Sequence, residues 1–165
     1  MKSLFSGIHE SNLSTNIHYL SFPFHHMPKK RLSVIDADRC VGCQSCMFAC
    51  TRRLGFGGVA KSAIHVSSVG GIERGFSVRV CRACRDPPCI HLCPEEALLP
   101  RQGGGVTLNK DKCTGCKQCL EGCILGAISW DQEENHPIIC IYCGYCAQYC
   151  PYEVIELQEL MADES

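Results

Sequence analysis

Residues 40–50 read CVGCQSCMFAC, and the spacing inside that stretch decides the fold. Cys40, Cys43 and Cys46 are separated by two residues each, and Cys50 follows after three more. The pattern returns at 113–123 (CTGCKQCLEGC) and at 140–150 (CIYCGYCAQYC). A further group at 81–93 (CRACRDPPCIHLC) keeps the order but lengthens the middle loop to four residues, Arg85-Asp86-Pro87-Pro88. Four groups of four use all 16 cysteines of the 165-residue chain, so none is left over.

Disulfides would need an oxidising compartment. The N-terminus, MKSLFSGIHESNLSTNIHYLSFPFHH, has one lysine, no uninterrupted apolar core and no twin-arginine pair, so it does not read as a signal peptide. No stretch is apolar for long enough to span a membrane. The expectation is a cytoplasmic, reducing setting, in which a cysteine framework binds metal. Zinc takes four ligands from two C-x2-C pairs. A triple C-x2-C-x2-C with a fourth cysteine at x3 is poor zinc spacing, and it occurs three times here.

That spacing suits a [4Fe–4S] cube, whose four iron corners each need one thiolate. One loop wraps three corners, while the fourth cysteine points away and ligates another cube. Pro94 and Pro151 follow the last cysteine of the second and fourth groups and fix φ for the next turn. Thr51 and Ile124 stand there in the first and third, a local loop difference that leaves the ligands intact.

The flanks repeat as well. VIDADRC precedes the first group and VTLNKDKC the third, each reading as a short strand. EEALLP, LGAISW and YEVIEL follow the second, third and fourth, each a helical turn near the fourth cysteine giving way to an extended run. This is the rhythm of a ferredoxin half. The expected fold is α+β: two interlocked bacterial-ferredoxin-like modules, each with two [4Fe–4S] cubes, and a β-hairpin insertion. Residues 1–31 form an N-terminal arm, 32–158 the four-cluster domain and 159–165 an acidic tail. The glycine-rich insertion, 51–80, holds two β-like runs, Ala63–Val69 and Phe76–Val80. Val154–Met161 closes the fold as helix or strand. Met27, opening MPKKRLSVID, is itself a plausible start.

Nineteen residues separate Cys93 from Cys113, against 30 between Cys50 and Cys81 and 16 between Cys123 and Cys140. This favours the second and third groups as one pair and the first and fourth as the other; tandem pairing is the alternative. Under nesting, Cys40, Cys43, Cys46 and Cys150 hold one cube, and Cys140, Cys143, Cys146 and Cys50 a second. Cys81, Cys84, Cys89 and Cys123 hold a third, and Cys113, Cys116, Cys119 and Cys93 the last.

The net charge is −1, but it is divided. Residues 1–117 carry all 16 Lys and Arg against eight acids, and 118–165 carry nine acids and no Lys or Arg. Such polarity suits either two solvated faces or two docking faces. The basic residues are scattered and many flank cysteines, which argues against nucleic acid. Arg52, Arg53, Arg82 and Arg85 read as loop charge, potential tuning or docking groups. His25 and His26 read as surface residues, and His65 and His91 as packing beside the loops. Trp130, Tyr142, Tyr145, Tyr149 and Tyr152 read as packing around the cubes. No catalytic constellation is legible.

On CRACRDPPCIHLCP (81–94), the chain resembles the four-cluster ferredoxin-like subunits of molybdenum and tungsten oxidoreductases. CVGCQSCMFACTRR (40–53), SAIHVSSVGGIERGFSVRVCRAC (62–84) and CIYCGYCAQYCP (140–151) look most like the small subunit of tungsten aldehyde:ferredoxin oxidoreductases. The corresponding subunit of a benzoyl-CoA reductase is similar too. The resemblance covers about residues 32–158 and implies the nested pairing. It also implies a large tungsten or molybdenum pterin partner, with a flavin subunit or ferredoxin as the other electron partner. A free soluble polyferredoxin is the competing function. Anaerobic metal analysis should return about 16 Fe per chain, four cubes of four; zinc without iron would overturn the cube reading.

Overall fold

The short apolar runs around the cysteine loops cannot bury themselves alone, and they do so by pairing two by two. The structure, a computed structural model, describes residues 29–70 and 75–160. Its elements are β1 (Lys29–Val34), α1 (Ser45–Arg53), β2 (His65–Ser68), β3 (Phe76–Arg79), α2 (Pro88–His91), β4 (Leu98–Pro100), β5 (Val106–Leu108), α3 (Gln118–Gly122), β6 (Ser129–Asp131), β7 (His136–Ile138), α4 (Tyr145–Gln148) and β8 (Ile155–Leu160). A 3-10 turn at Lys110–Lys112 precedes the third cysteine group.

Among the described residues the strands form four two-stranded antiparallel ribbons: β1 with β8, β2 with β3, β4 with β5 and β6 with β7. β1 and β8 pair over their whole length, from Lys29 opposite Leu160 to Val34 opposite Ile155. The two ends of the described chain are thus zipped together. Lys29–Arg31, which the sequence reading placed in the arm, belong to β1, and β8 runs past residue 158. Residues 1–28, with His25 and His26, and 161–165 lie outside the described residues.

Two apolar cores result. One gathers Leu32, Met47, Ile64, Val80, Val154 and Ile155 around Cys46 and Cys146. The other gathers Leu98 and Val106 around Cys89 and Cys119. Helices pair accordingly, α1 against α4 and α2 against α3. The first core therefore belongs to the first and fourth cysteine groups, and the second to the middle two.

The helices differ from expectation. They begin one residue before the third cysteine of each group, not near the fourth. Gln44, Lys117 and Gly144, just after the second cysteine, adopt left-handed backbone (φ 59°, 65° and 77°) and turn the chain into α1, α3 and α4. After the fourth cysteine comes a tight turn instead. Glu96, Gly126 and Glu153 return their N–H groups to the carbonyls of Cys93, Cys123 and Cys150. Proline two residues before the end of such a turn supplies the required φ. β6 continues the extended run read in LGAISW, but its partner β7 has no counterpart in the sequence reading, because Pro137 masks a strand signal.

The first group departs from this repeat. Its helix α1 runs on through Cys50 to Arg53, so the following strand is delayed. Ala63 takes the place that Ala97, Ala127 and Val154 hold in the other groups, its N–H donating to the sulfur of the group's last cysteine as theirs do. Thr51, fully buried, pins the intervening loop by donating its hydroxyl to the Gly58 carbonyl at 2.6 Å.

Leu32 is 2% exposed in the first core. Leu32→Ala should cost about 2–5 kcal/mol, read as a lower midpoint in anaerobic guanidinium bleaching of the visible absorbance. Leu99→Ala, at 44% exposure, should stay within about 0.5 kcal/mol. Equal midpoints for the two variants would remove Leu32 from the core.

Candidate metal centre

The loops that carry the cysteines are built around left-handed residues. The position before the second cysteine has positive φ in every group: Gly42 (71°), Ala83 (52°), Gly115 (73°) and Tyr142 (53°). Alternating backbone handedness of this kind turns successive N–H groups to one side and creates a nest for negative charge. Gly42 also lies under the Phe76 ring of β3, where a Cβ would collide.

The fold collects the thiols in sets that draw on two groups each. Cys50, Cys140, Cys143 and Cys146 line one cavity with Leu32 and Ile64. Cys81, Cys84, Cys89 and Cys123 line a second, whose wall also includes Cys140. Cys93, Cys113, Cys116 and Cys119 line a third with Leu98 and Trp130. The remaining thiols, Cys40, Cys43 and Cys150, act electrostatically on Cys46.

Burial raises the proton affinity of the central thiols, and crowding adds to it. Cys46 is pushed up to about 11, by burial first and then by Cys150. Cys89 reaches about 11 through burial and the charges of Cys81 and Cys123. Cys119 reaches about 11 through burial and Cys113. Cys146 rises to about 12 through burial and Cys50. Cys140 is also pushed up, chiefly by burial, and Cys84 by burial and Cys81. Cys43, near the surface, goes down because Ser45 hydrogen-bonds its sulfur. Four crowded sulfurs ionise together only against strong positive charge, which metal supplies.

The last cysteine of each group accepts a backbone N–H. Ala97 donates to Cys93 (3.3 Å), Ala127 to Cys123 (3.3 Å), Val154 to Cys150 (3.4 Å) and Ala63 to Cys50 (3.4 Å). The donor lies four residues on in three groups and thirteen on in the first. Such donors stabilise thiolate charge and tune iron–sulfur potentials.

An iron–sulfur cube fits this donor set. The three cavities present soft sulfur donors within apolar walls, and soft donors suit iron–sulfur clusters. Among the described residues, no three His, Cys, Asp or Glu side chains converge on a single-ion site. Trp130 lines the third cavity and its indole N–H is buried with no hydrogen-bond partner among the described residues. A sulfide would accept that bond.

Other singled-out residues sit as follows. His65 hydrogen-bonds Ser129 at 2.6 Å, and burial followed by the nearby Arg79 charge holds its pKa below the usual value. His91 is exposed and contacts Asp86. Arg52, Arg53, Arg82 and Arg85 are all exposed. Tyr142 is 2% exposed, but Tyr145, Tyr149 and Tyr152 are surface residues, not packing. Tyr145 and Tyr149 stack with centroids 6.0 Å apart, and the Arg53 guanidinium lies 5.7 Å from the Tyr145 ring.

Sequence reasoning missed the seam between the halves. Lys61 pairs with Asp131 at 3.1 Å, and Ser129 donates to the Ser62 carbonyl at 2.6 Å. The only sequence signal was Ala63-Ile64 matching Ala97-Leu98 and Ala127-Ile128. Among the described residues no helix is long and apolar enough to cross a membrane.

The sequence is similar to those of known proteins. The chain is 36% identical over 109 residues to a selenate reductase subunit of Mesobacillus selenatarsenatis, covering 64% of this chain and 37% of the relative. It is 31% identical over 107 residues to the iron–sulfur subunit of an arsenate respiratory reductase of Shewanella sp., covering 62% and 46%. It is 32% identical over 127 residues to the beta subunit of an NADH-dependent phenylglyoxylate dehydrogenase of Aromatoleum evansii, covering 73% and 28%. The chain thus spans less than half the length of each of these relatives. A family model described as the 4Fe-4S dicluster domain matches residues 72–160, which include the second, third and fourth cysteine groups and more than half of the chain. The chain belongs to the 4Fe–4S dicluster domain family, and is an iron–sulfur protein of electron transfer.

Proposed function

We propose that this chain is the relay subunit of a larger oxidoreductase and holds four [4Fe–4S] cubes in nested ligand sets. Cys40, Cys43, Cys46 and Cys150 form the first set, and Cys140, Cys143, Cys146 and Cys50 the second. Cys81, Cys84, Cys89 and Cys123 form the third, and Cys113, Cys116, Cys119 and Cys93 the fourth. The observation that carries the reading is that three of these sets each line one cavity. The first is supported by the influence of Cys150, Cys43 and Cys40 on Cys46.

When bound, each cube supplies a one-electron redox change with little movement of its ligands. The chain's residues do the rest. Thiolates hold the irons, backbone N–H groups aimed at Cys50, Cys93, Cys123 and Cys150 offset their negative charge, and the two apolar cores keep water out.

The proposed electron partner is a tungsten or molybdenum pterin catalytic subunit, of aldehyde oxidoreductase type. A flavin subunit or ferredoxin serves the other end. The motif likeness around 81–94 supports this. So do relatives that are subunits of reductases and a dehydrogenase acting on unlike substrates, as expected if the shared part is the wire. The α1–α4 face also suits docking: it exposes Phe48, Tyr145 and Tyr149 beside Arg52 and Arg53 around one groove. We place the chain in the cytoplasm, where thiols such as its sixteen unpaired cysteines stay reduced.

Two measurements test the reading. Cys150→Ser should alter the electron paramagnetic resonance signal of the cube held by Cys40, Cys43 and Cys46; a change at the cube of Cys113, Cys116 and Cys119 instead would establish tandem pairing. Anaerobic capture of the chain from its source cell should bring down a large pterin-containing partner. Recovery of the chain alone would make it a free polyferredoxin.

A further inference from the structure

Across the four cysteine loops, the residue before the second cysteine is Gly42, Ala83, Gly115 and Tyr142. All four have left-handed backbone, with φ between 52° and 73°. Glycine meets that conformation freely, and a bulky side chain there is a steric outlier. Three loops use a small residue and one uses a tyrosine, so something at Tyr142 offsets its strain.

Its contacts show what. The Tyr142 ring is 2% exposed. Its hydroxyl lies 2.9 Å from the Cys81 sulfur, in the other half of the molecule. Its backbone N–H donates to the Cys140 sulfur at 3.4 Å. Gly105 leaves the space for the ring, since a Cβ there would strike the hydroxyl, and Gly105 N–H is anchored on the Cys84 carbonyl at 3.0 Å. The Arg101 guanidinium stands 4.7 Å from the ring centroid, with its buried Nη1 unpartnered among the described residues.

We infer that Tyr142 is a positioning residue that couples the two halves of the relay, joining the Cys140 sulfur of one cube to the Cys81 sulfur of the next. This rests on the ligand sets proposed above. A metal-bound thiolate carries no proton, so the phenol must be the donor to Cys81. A donor to a ligand sulfur favours the reduced, more negative cube and raises its potential. Arg101 adds positive charge on the same side. One electron leaves one cube and enters the other, and the phenol proton stays on its oxygen throughout. The short path from Cys140 through Tyr142 to Cys81 is then the crossing point between the halves.

The test is an anaerobic redox titration of the full, cluster-loaded chain followed by electron paramagnetic resonance. Tyr142→Phe keeps the ring and removes the donor. One midpoint should fall, making reduction of that cube about tenfold less favourable, about 59 mV for one electron, while the other three stay within a third of that shift. 3-Fluorotyrosine in place of Tyr142, a stronger donor that keeps ring and hydroxyl, should move the same midpoint upward. It decides the matter if Tyr142→Phe loses iron. Fewer than four one-electron midpoints in the unmodified chain would overturn the four-cube reading and the coupling with it. Four midpoints that neither replacement displaces, or that all move together, would overturn the coupling alone.

Discussion

Crowded sulfur is the constraint on which the rest of this structure depends. Thiols that are buried in apolar surroundings and press on one another hold their protons tightly, as Cys46, Cys89, Cys119 and Cys146 do. Such a set is stable as thiolate only around concentrated positive charge. The surrounding protein answers with backbone N–H groups aimed at sulfur and with left-handed residues that turn the loops inward. Neither of the two apolar cores contains many residues, and both are centred on cysteines. Metal and core are therefore parts of one folding unit, as in other small metal-dependent domains.

The same constraint shapes the topology. Sets that draw on two loops bring helix against helix, α1 with α4 and α2 with α3. Closing the outer pair brings the two ends of the described chain together, and the β1–β8 ribbon satisfies their backbone groups. The halves then meet along a polar seam. Lys61 with Asp131, His65 and Ser62 with Ser129, and Tyr142 with Cys81 all cross it. Polar contacts give that seam a fixed register, which apolar surfaces alone would leave loose. Fixed register matters for a relay, because electron transfer depends steeply on separation.

Much of this was legible in the residues. The cysteine spacing announced the cubes, and the runs VTL, LLP, SW and IEL announced the strands beside them. The helix starts were misplaced because periodicity cannot act in elements of four or five residues, such as α2, α3 and α4. There the backbone handedness after the second cysteine decides. The run Ala63–Val69 was read as part of an insertion and not as the first group's own strand, because α1 and its loop displace it from Cys50. Tyr145 and Tyr149 looked like packing residues by composition, and are exposed because α4 turns its other face to the core.

The sequence alone determined the chemistry: which atoms are soft donors, how many there are, and that each loop offers three together and one apart. Covalent spacing within eleven residues is enough for that, since a short loop has few ways to present its sulfurs. Only the tertiary structure decided which loops share a cavity and what lies between the halves. Those choices depend on chain segments as distant as Cys46 and Cys150, and on a tyrosine whose hydroxyl meets a sulfur 61 positions away. No local pattern encodes such a meeting; it follows from how the cores close.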